Sequence, residues 1–147
     1  MRTVIIADGG REALSEWLGT YRHLFELEGE LLLHRTVRQF AEHGDVFVIA
    51  PDDDEYEIAP ATRVDPVKFP EWAGIEMLAK ALPSCGDERT NLVFGDVWFS
   101  DDAIDTIIGF DERDWQVFGR PKPSQITGTP WGEYFCITLY PDRKSVV

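Results

Sequence analysis

The chain has 147 residues, 44% hydrophobic and 28% charged, the size and balance of one globular domain with a proper core. Its 27 acidic against 14 basic residues give a formal net charge of −13, which argues against a broad electrostatic grip on nucleic acid or an anionic membrane. No apolar run approaches the roughly 20 residues of a bilayer-spanning helix, and neither the two cysteines nor the three histidines show metal-ligand spacing, so a membrane span and a zinc site are not expected.

Residues 3–7, TVIIA, form a β-branched run without alternation, as expected of a strand covered on both faces. The first residues lead straight into that strand and not into a signal peptide, so a cytoplasmic protein is expected. Asp8, Gly9, Gly10 and Arg11 follow, then a short helical run over 12–18 that Gly19 stops. Glycines after a first strand let backbone amides approach a phosphate, and a helix start adds positive potential. Strand-to-helix turns also use glycine for their own geometry, and the residues leave both readings open.

The stretch 20–33 is less regular, with Glu28, Gly29 and Glu30 reading as a turn. Leu32, Thr36, Val37, Phe40 and Ala41 then recur at helical spacing, which predicts a helix over 31–43 closed by Gly44. Residues 45–50, DVFVIA, make a second buried strand. The consecutive acids Asp52, Asp53, Asp54 and Glu55 point in different directions and repel one another, so a solvated loop is expected there and not a metal cluster. A part in base or ribose recognition stays open, because the loop follows the carboxyl end of a strand. A short edge strand is expected near 61–64, flanked by Pro60 and Pro66, and a helix over 73–82 from the stripe Ile75, Leu78, Ala79, Leu82.

The stretch 91–100, NLVFGDVWFS, carries most of the chemistry. A buried strand runs into Gly95 and Asp96, then an aromatic pair, then Ser100 as the N-cap of a helix over 101–108. Asp101 and Asp102 fall in the first turn, where their charge suits the helix dipole. Asp96 precedes the cap and has no such role. A carboxylate at a strand's carboxyl end, where a parallel sheet has its ligand crevice, is a natural hard-metal site.

After Phe110 the pattern changes to strands alone, WQVFG at 115–119 and EYFCITLY at 133–140. The connection 120–132 holds Arg120, Lys122, Ser124, Thr127 and Thr129, stiffened by Pro121, Pro123 and Pro130. Such long connections are commonly functional, and in so acidic a chain this one is a candidate phosphate or sugar contact. Cys85 and Cys136 read as reduced, buried thiols, and the polar tail 141–147 is expected to fray. Alternating strands and helices through 110, followed by two strands, define an α/β fold: a three-layer α/β/α arrangement with a mostly parallel sheet and an antiparallel addition near the C-terminus.

Three segments, TVIIADGGR, ELEGELLLHRTVRQF and LVFGDVWFSDDAIDTII, together resemble the nucleotide-diphospho-sugar transferase superfamily, the Rossmann-related GT-A-like fold of sugar nucleotidyltransferases and many glycosyltransferases. The resemblance implies a single nucleotide-sugar-binding domain over 1–147. It implies Mg2+ or Mn2+ held between Asp96 and the nucleotide phosphates, with Ala7, Asp8, Gly9, Gly10, Arg11 and Gly95 around the nucleotide and Arg120 or Lys122 closing over the phosphates. Glu133 is the candidate general base, and Trp98 and Trp131 are candidate sugar platforms. The partners implied are a nucleotide-sugar or a nucleoside triphosphate, plus an unknown acceptor.

The departures from that family are specific. The glycine-rich loop is compressed to DGGRE. The place of the nucleotidyltransferase lysine reads Tyr21-Arg22-His23-Leu24, leaving Arg22 as the replacement cation. No DxD pattern is present, since Trp98 stands two places after Asp96, and the only acids after Asp114 are Glu133 and Asp142. The missing lysine favours transfer of a sugar to an acceptor. Nucleotidyl transfer from a nucleoside triphosphate to a sugar phosphate, and a catalytically silent binding protein, are the alternatives.

Overall fold

A computed structural model of the chain describes residues 1–7, 14–15, 19–64, 84–85, 87–110, 115–121, 130 and 132–140. In chain order they form β1 (Arg2–Ile6), β2 (Leu14–Ser15), β3 (Thr20–Tyr21), β4 (Glu26–Leu27), β5 (Glu30–Leu31) and helix α1 (Leu32–Ala41). Then come β6 (Asp45–Ile49), β7 (Thr62–Arg63), β8 (Thr90–Phe94), helix α2 (Asp101–Gly109), β9 (Gln116–Arg120) and β10 (Glu133–Leu139). The expected helix over 73–82 and the tail 141–147 lie outside the described residues.

The central sheet has the order β7-β6-β1-β8-β10-β9. β1 pairs in parallel with β6 on one side and β8 on the other, and β7 adds in parallel at the outer edge of β6. β10 is antiparallel to both β8 and β9. This is the mixed, mostly parallel α/β sheet expected, with its antiparallel addition at the C-terminal end and the short strand between Pro60 and Pro66 at an edge.

The unbroken apolar run of β1 follows from its central place. Ile5 and Ala7 point to one face with Val46, Val48 and Val93, against Leu33, Val37 and Phe40 of α1 and Ile104 and Ile107 of α2. Val4 and Ile6 point to the other, with Ile49, Leu92 and Leu139. Alternate side chains of a strand face opposite ways, so a strand buried on both faces loses its alternation.

Helix α1 is amphipathic, burying Leu32, Leu33, Thr36, Val37 and Phe40 at the spacing of one helical face. It has no side-chain N-cap; the first amide, Leu32 N, donates instead to Phe25 O at 2.9 Å. The helix ends at Ala41 with Glu42 as C-cap, slightly earlier than the sequence pattern suggests. Before it, β4 and β5 form a hairpin through Glu28 and Gly29, at φ 55° and 82°. Two consecutive left-handed residues match the right-handed twist of a tight hairpin, and glycine meets that demand at no steric cost.

One expectation is corrected. The helical run predicted over 12–18 is not a helix at its centre: Leu14–Ser15 is extended and pairs antiparallel with Thr20–Tyr21. Seven residues are too few to sustain a helix alone, so a hairpin partner within reach decides the conformation.

The carboxyl end of α2 is closed by side chains from elsewhere. Arg89 donates from Nη1 to Ile108 O at 2.8 Å and from Nη2 to Ile107 O at 2.6 Å, and Tyr140 Oη donates to Phe110 O at 3.0 Å. These satisfy carbonyls that a helix end leaves unpaired, and the guanidinium charge suits the negative end of the dipole. Among the described residues no helix is long and apolar enough to cross a membrane. Arg89→Ala removes both charged hydrogen bonds and is expected to cost about 2 kcal/mol of stability, read as a lower urea midpoint at unchanged slope.

Candidate functional site

From β1 the chain builds outward through β6 and β7, then crosses back to β8 on the opposite side. Strand order therefore reverses between β1 and β8, and open α/β sheets bind ligands at the carboxyl ends of strands at such a switch point. The register Ile6↔Phe94 brings the two ends level. Ala7 N donates to Ile49 O at 2.9 Å and Gly95 N donates to Ile6 O at 2.8 Å. Both residues are buried and both commit their amides to the sheet, so they hold the crevice floor and offer a ligand no free amide. A Cβ on Gly95 would lie 3.2 Å from Ile6 O and from Leu33 Cδ1, so glycine is what lets α1 pack this close beneath the turn.

Asp96 comes next, with its side chain 42% exposed. Arg22 reaches it from the 3₁₀ turn Arg22–Leu24, with Nη1 3.7 Å from Asp96 Oδ2. That distance exceeds a hydrogen bond and leaves the carboxylate's lone pairs usable. A hard oxygen donor at the crevice mouth fits a divalent cation such as magnesium. Among the described residues no cluster of three His, Cys, Asp or Glu side chains could hold a metal ion.

The loop after Asp96 is braced against α1. Arg35 lies 4.2 Å over the Trp98 ring, with Nη2 3.7 Å from Asp101 Oδ1. Trp98, a candidate sugar platform, thus carries a guanidinium on one face. Phe99 meets Phe40 edge-on at 5.9 Å. Ser100 caps α2 as expected, its Oγ accepting from Ala103 N at 3.2 Å. Asp101 does more than complement the dipole: it accepts from Gln39 Nε2 at 2.8 Å and so ties the start of α2 to α1.

Two further candidates, Glu133 and Arg120, lie at the same end of the sheet. β10 runs antiparallel to β8 with Cys136 opposite Val93, so its first residue, Glu133, stands toward the carboxyl end of β8. Arg120 pairs with Glu133 in the β9–β10 register, Nη1 3.6 Å from Glu133 Oε2. Asp52, Asp53, Asp54 and Glu55 are exposed, as a solvated loop requires. Asp8, Gly9, Gly10, Arg11, Lys122 and Trp131 lie outside the described residues.

No family model matches the chain, and no curated protein matches its sequence. Solved structures do match its fold. A protein from Bacillus anthracis assigned as a glucose-1-phosphate thymidylyltransferase, solved with sucrose, superposes with a TM-score of 0.70 at 14% identity, covering 98% of this chain and 73% of that one. The inositol-1-phosphate CTP transferase from T. maritima gives a TM-score of 0.68 at 12% identity, covering 99% of this chain and 72% of the other. The chain therefore shares the fold of these two proteins, in keeping with the resemblance read from its sequence.

Three residues near the crevice escape sequence reasoning. His23 and Tyr56 share a buried hydrogen bond of 2.6 Å, and Arg35 stacks on Trp98. His23 lies in an irregular stretch and Tyr56 at the end of an acidic run, so neither carries a periodic signal; Arg35 occupies a helix position that reads as solvent-facing.

The two cysteines are buried and form no disulfide. Burial pushes the Cys136 thiol up from 9.0 to about 12, only partly offset by its hydrogen bond with Thr138. A thiolate is the reactive form, so Cys136 is inert near neutrality. It should resist alkylation at about pH 8 in the native protein and react only on unfolding. Because the folded value is raised, its contribution to stability is complete below the ordinary 9.0 and is lost as pH rises through about 12. Urea midpoints should fall above about pH 9, and less so in Cys136→Ala.

Proposed function

We propose that the chain is a transferase of the nucleotidyl class, joining a nucleoside triphosphate to a sugar phosphate or a similar phosphorylated acceptor and releasing pyrophosphate. The observation that carries this reading is the approach of Arg22 to Asp96, 3.7 Å apart at the switch point between β1 and β8. It reverses the preference for glycosyl transfer that the missing lysine suggests, because Arg22 supplies a cation at that place. The likeness of the fold to two nucleotidyltransferases supports the same direction.

In this reading an acceptor phosphate oxygen attacks the α-phosphorus, a new P–O bond forms, and the bond to pyrophosphate breaks. Arg22 binds the α-phosphate and offsets the charge that gathers there, the kind of positioned electrostatic help that dominates phosphoryl chemistry. Asp96 would hold a divalent cation, which when bound supplies Lewis-acid neutralisation of phosphate charge. Ala7 and Gly95 keep the crevice floor fixed. Asp8 to Arg11 and Lys122 are proposed as further nucleotide contacts.

Transfer of a sugar from a nucleotide-sugar is the second reading, favoured by Glu133 at the same end of the sheet as a carboxylate base for an acceptor hydroxyl. The two differ in product: pyrophosphate in the first, a nucleoside diphosphate in the second.

The test is a screen of nucleoside triphosphates with sugar phosphates in magnesium, monitored for pyrophosphate. Release of pyrophosphate supports the first reading; nucleoside diphosphate from a nucleotide-sugar shifts the assignment to the second, and tight nucleotide binding without turnover to a silent relative. Arg22→Ala and Asp96→Asn should each lower kcat by roughly 10²-fold or more. Manganese alone should bind weakly and bind well only with nucleotide, since Asp96 is its one described protein ligand.

A further inference from the structure

The Arg22 side chain is 53% exposed, so its own burial does not fix where the guanidinium stands. The next residue contributes to its placement. His23 is 1% exposed, and its Nε2 lies 2.6 Å from Tyr56 Oη, itself on a side chain 1% exposed. Tyr21 stacks on His23 at 5.8 Å with the rings 11° apart, closing the other side. In a 3₁₀ turn successive side chains diverge by about 120°. An imidazole held in the core therefore turns its neighbour outward, toward the crevice.

Tyr56 is anchored in turn. It ends the 3₁₀ turn Asp54–Tyr56 inside the acidic loop after β6, where Asp53 accepts from Glu55 N at 3.0 Å. Arg63 of β7 grips that loop from below, donating to Asp53 O at 2.9 Å, to Glu57 Oε1 at 2.8 Å and to Pro51 O. A rigid path thus runs from the sheet edge through the acidic loop to the turn bearing Arg22. Packing alone would be met by apolar rings without desolvating a hydroxyl and an imidazole.

We infer that His23 and Tyr56 are positioning residues whose hydrogen bond sets Arg22 beside Asp96, with the acidic loop as their anchor. The inference rests on the reading of Arg22 as the phosphate-binding cation.

The experiment has two arms on the full chain. The first needs no substrate: the ¹⁵N–¹H heteronuclear NOE of Arg22 Nε is measured in the wild type, in Tyr56→Phe and in His23→Gln, with circular dichroism melts to show that each is folded. The result expected is a restrained Arg22 in the wild type and in His23→Gln, whose carboxamide can still meet the Tyr56 hydroxyl, and a freed Arg22 in Tyr56→Phe. Arg22 equally ordered in folded Tyr56→Phe, or equally loosened in both variants, overturns the inference. If Tyr56→Phe does not fold, His23→Leu takes its place under the same criterion.

The second arm reads turnover. Tyr56→Phe should lower kcat on the order of ten-fold while the nucleotide KM moves less than about two-fold, a split that general destabilisation does not produce. Absence of pyrophosphate release from the wild type removes the functional reading alone, since the NOE arm still decides whether His23 and Tyr56 hold Arg22.

Discussion

The lateral contact between β1 and β8 is the constraint on which the rest depends. A parallel pair at the centre of a sheet must be covered on both faces and must carry its backbone pairing to the very end, because an unmatched amide there would be buried. Gly95 N donating to Ile6 O completes that ladder, and the absence of a side chain on Gly95 lets Leu33 press from below. One residue later the chain is free to leave the sheet. Asp96 is therefore the first position at which a side chain can face the crevice, and its place is decided by the packing of apolar residues that never touch a ligand.

Arginine is used in two distinct ways in this acidic chain. Arg89 spends its guanidinium on backbone carbonyls, Arg63 divides its own between backbone carbonyls and Glu57, and Arg38 grips Glu30 with two hydrogen bonds that hold the Glu30 carboxyl below its usual range. These contacts close loops and helix ends. Arg22 and Arg120 instead face carboxylates at 3.7 and 3.6 Å, at the carboxyl end of the parallel strands. Partly exposed pairs of that length contribute about 0–1 kcal/mol, which makes them poor staples.

The central fold was legible because its signals are local and strong. TVIIA, DVFVIA and the run before Gly95 are apolar without alternation, and α1 shows its stripe plainly. The edge strand between Pro60 and Pro66 was equally readable, since proline restricts where a strand can sit. Leu14–Ser15 was misread because a seven-residue helical pattern is too weak to compete with a hairpin, and hairpin partners are not encoded by period. In the site, Asp96 could be singled out by eliminating helix caps. The His23–Tyr56 bond could not, because it joins residues 33 apart in the chain and a buried polar pair has no spacing rule.

A net charge of −13 sets a condition on any anionic ligand at this crevice. Phosphates approach against the overall field of the protein, so attraction must be local and come from cations within a few ångströms, where screening by salt is weakest. Arg22 meets that condition, and the neighbouring Asp96 would oppose it unless a divalent cation covered the carboxylate. In the proposed reading the pair would thus meet a metal-bound phosphate. The 3.7 Å contact suits that exchange: a guanidinium locked into a bidentate bond with Asp96 would have to break it before meeting a phosphate.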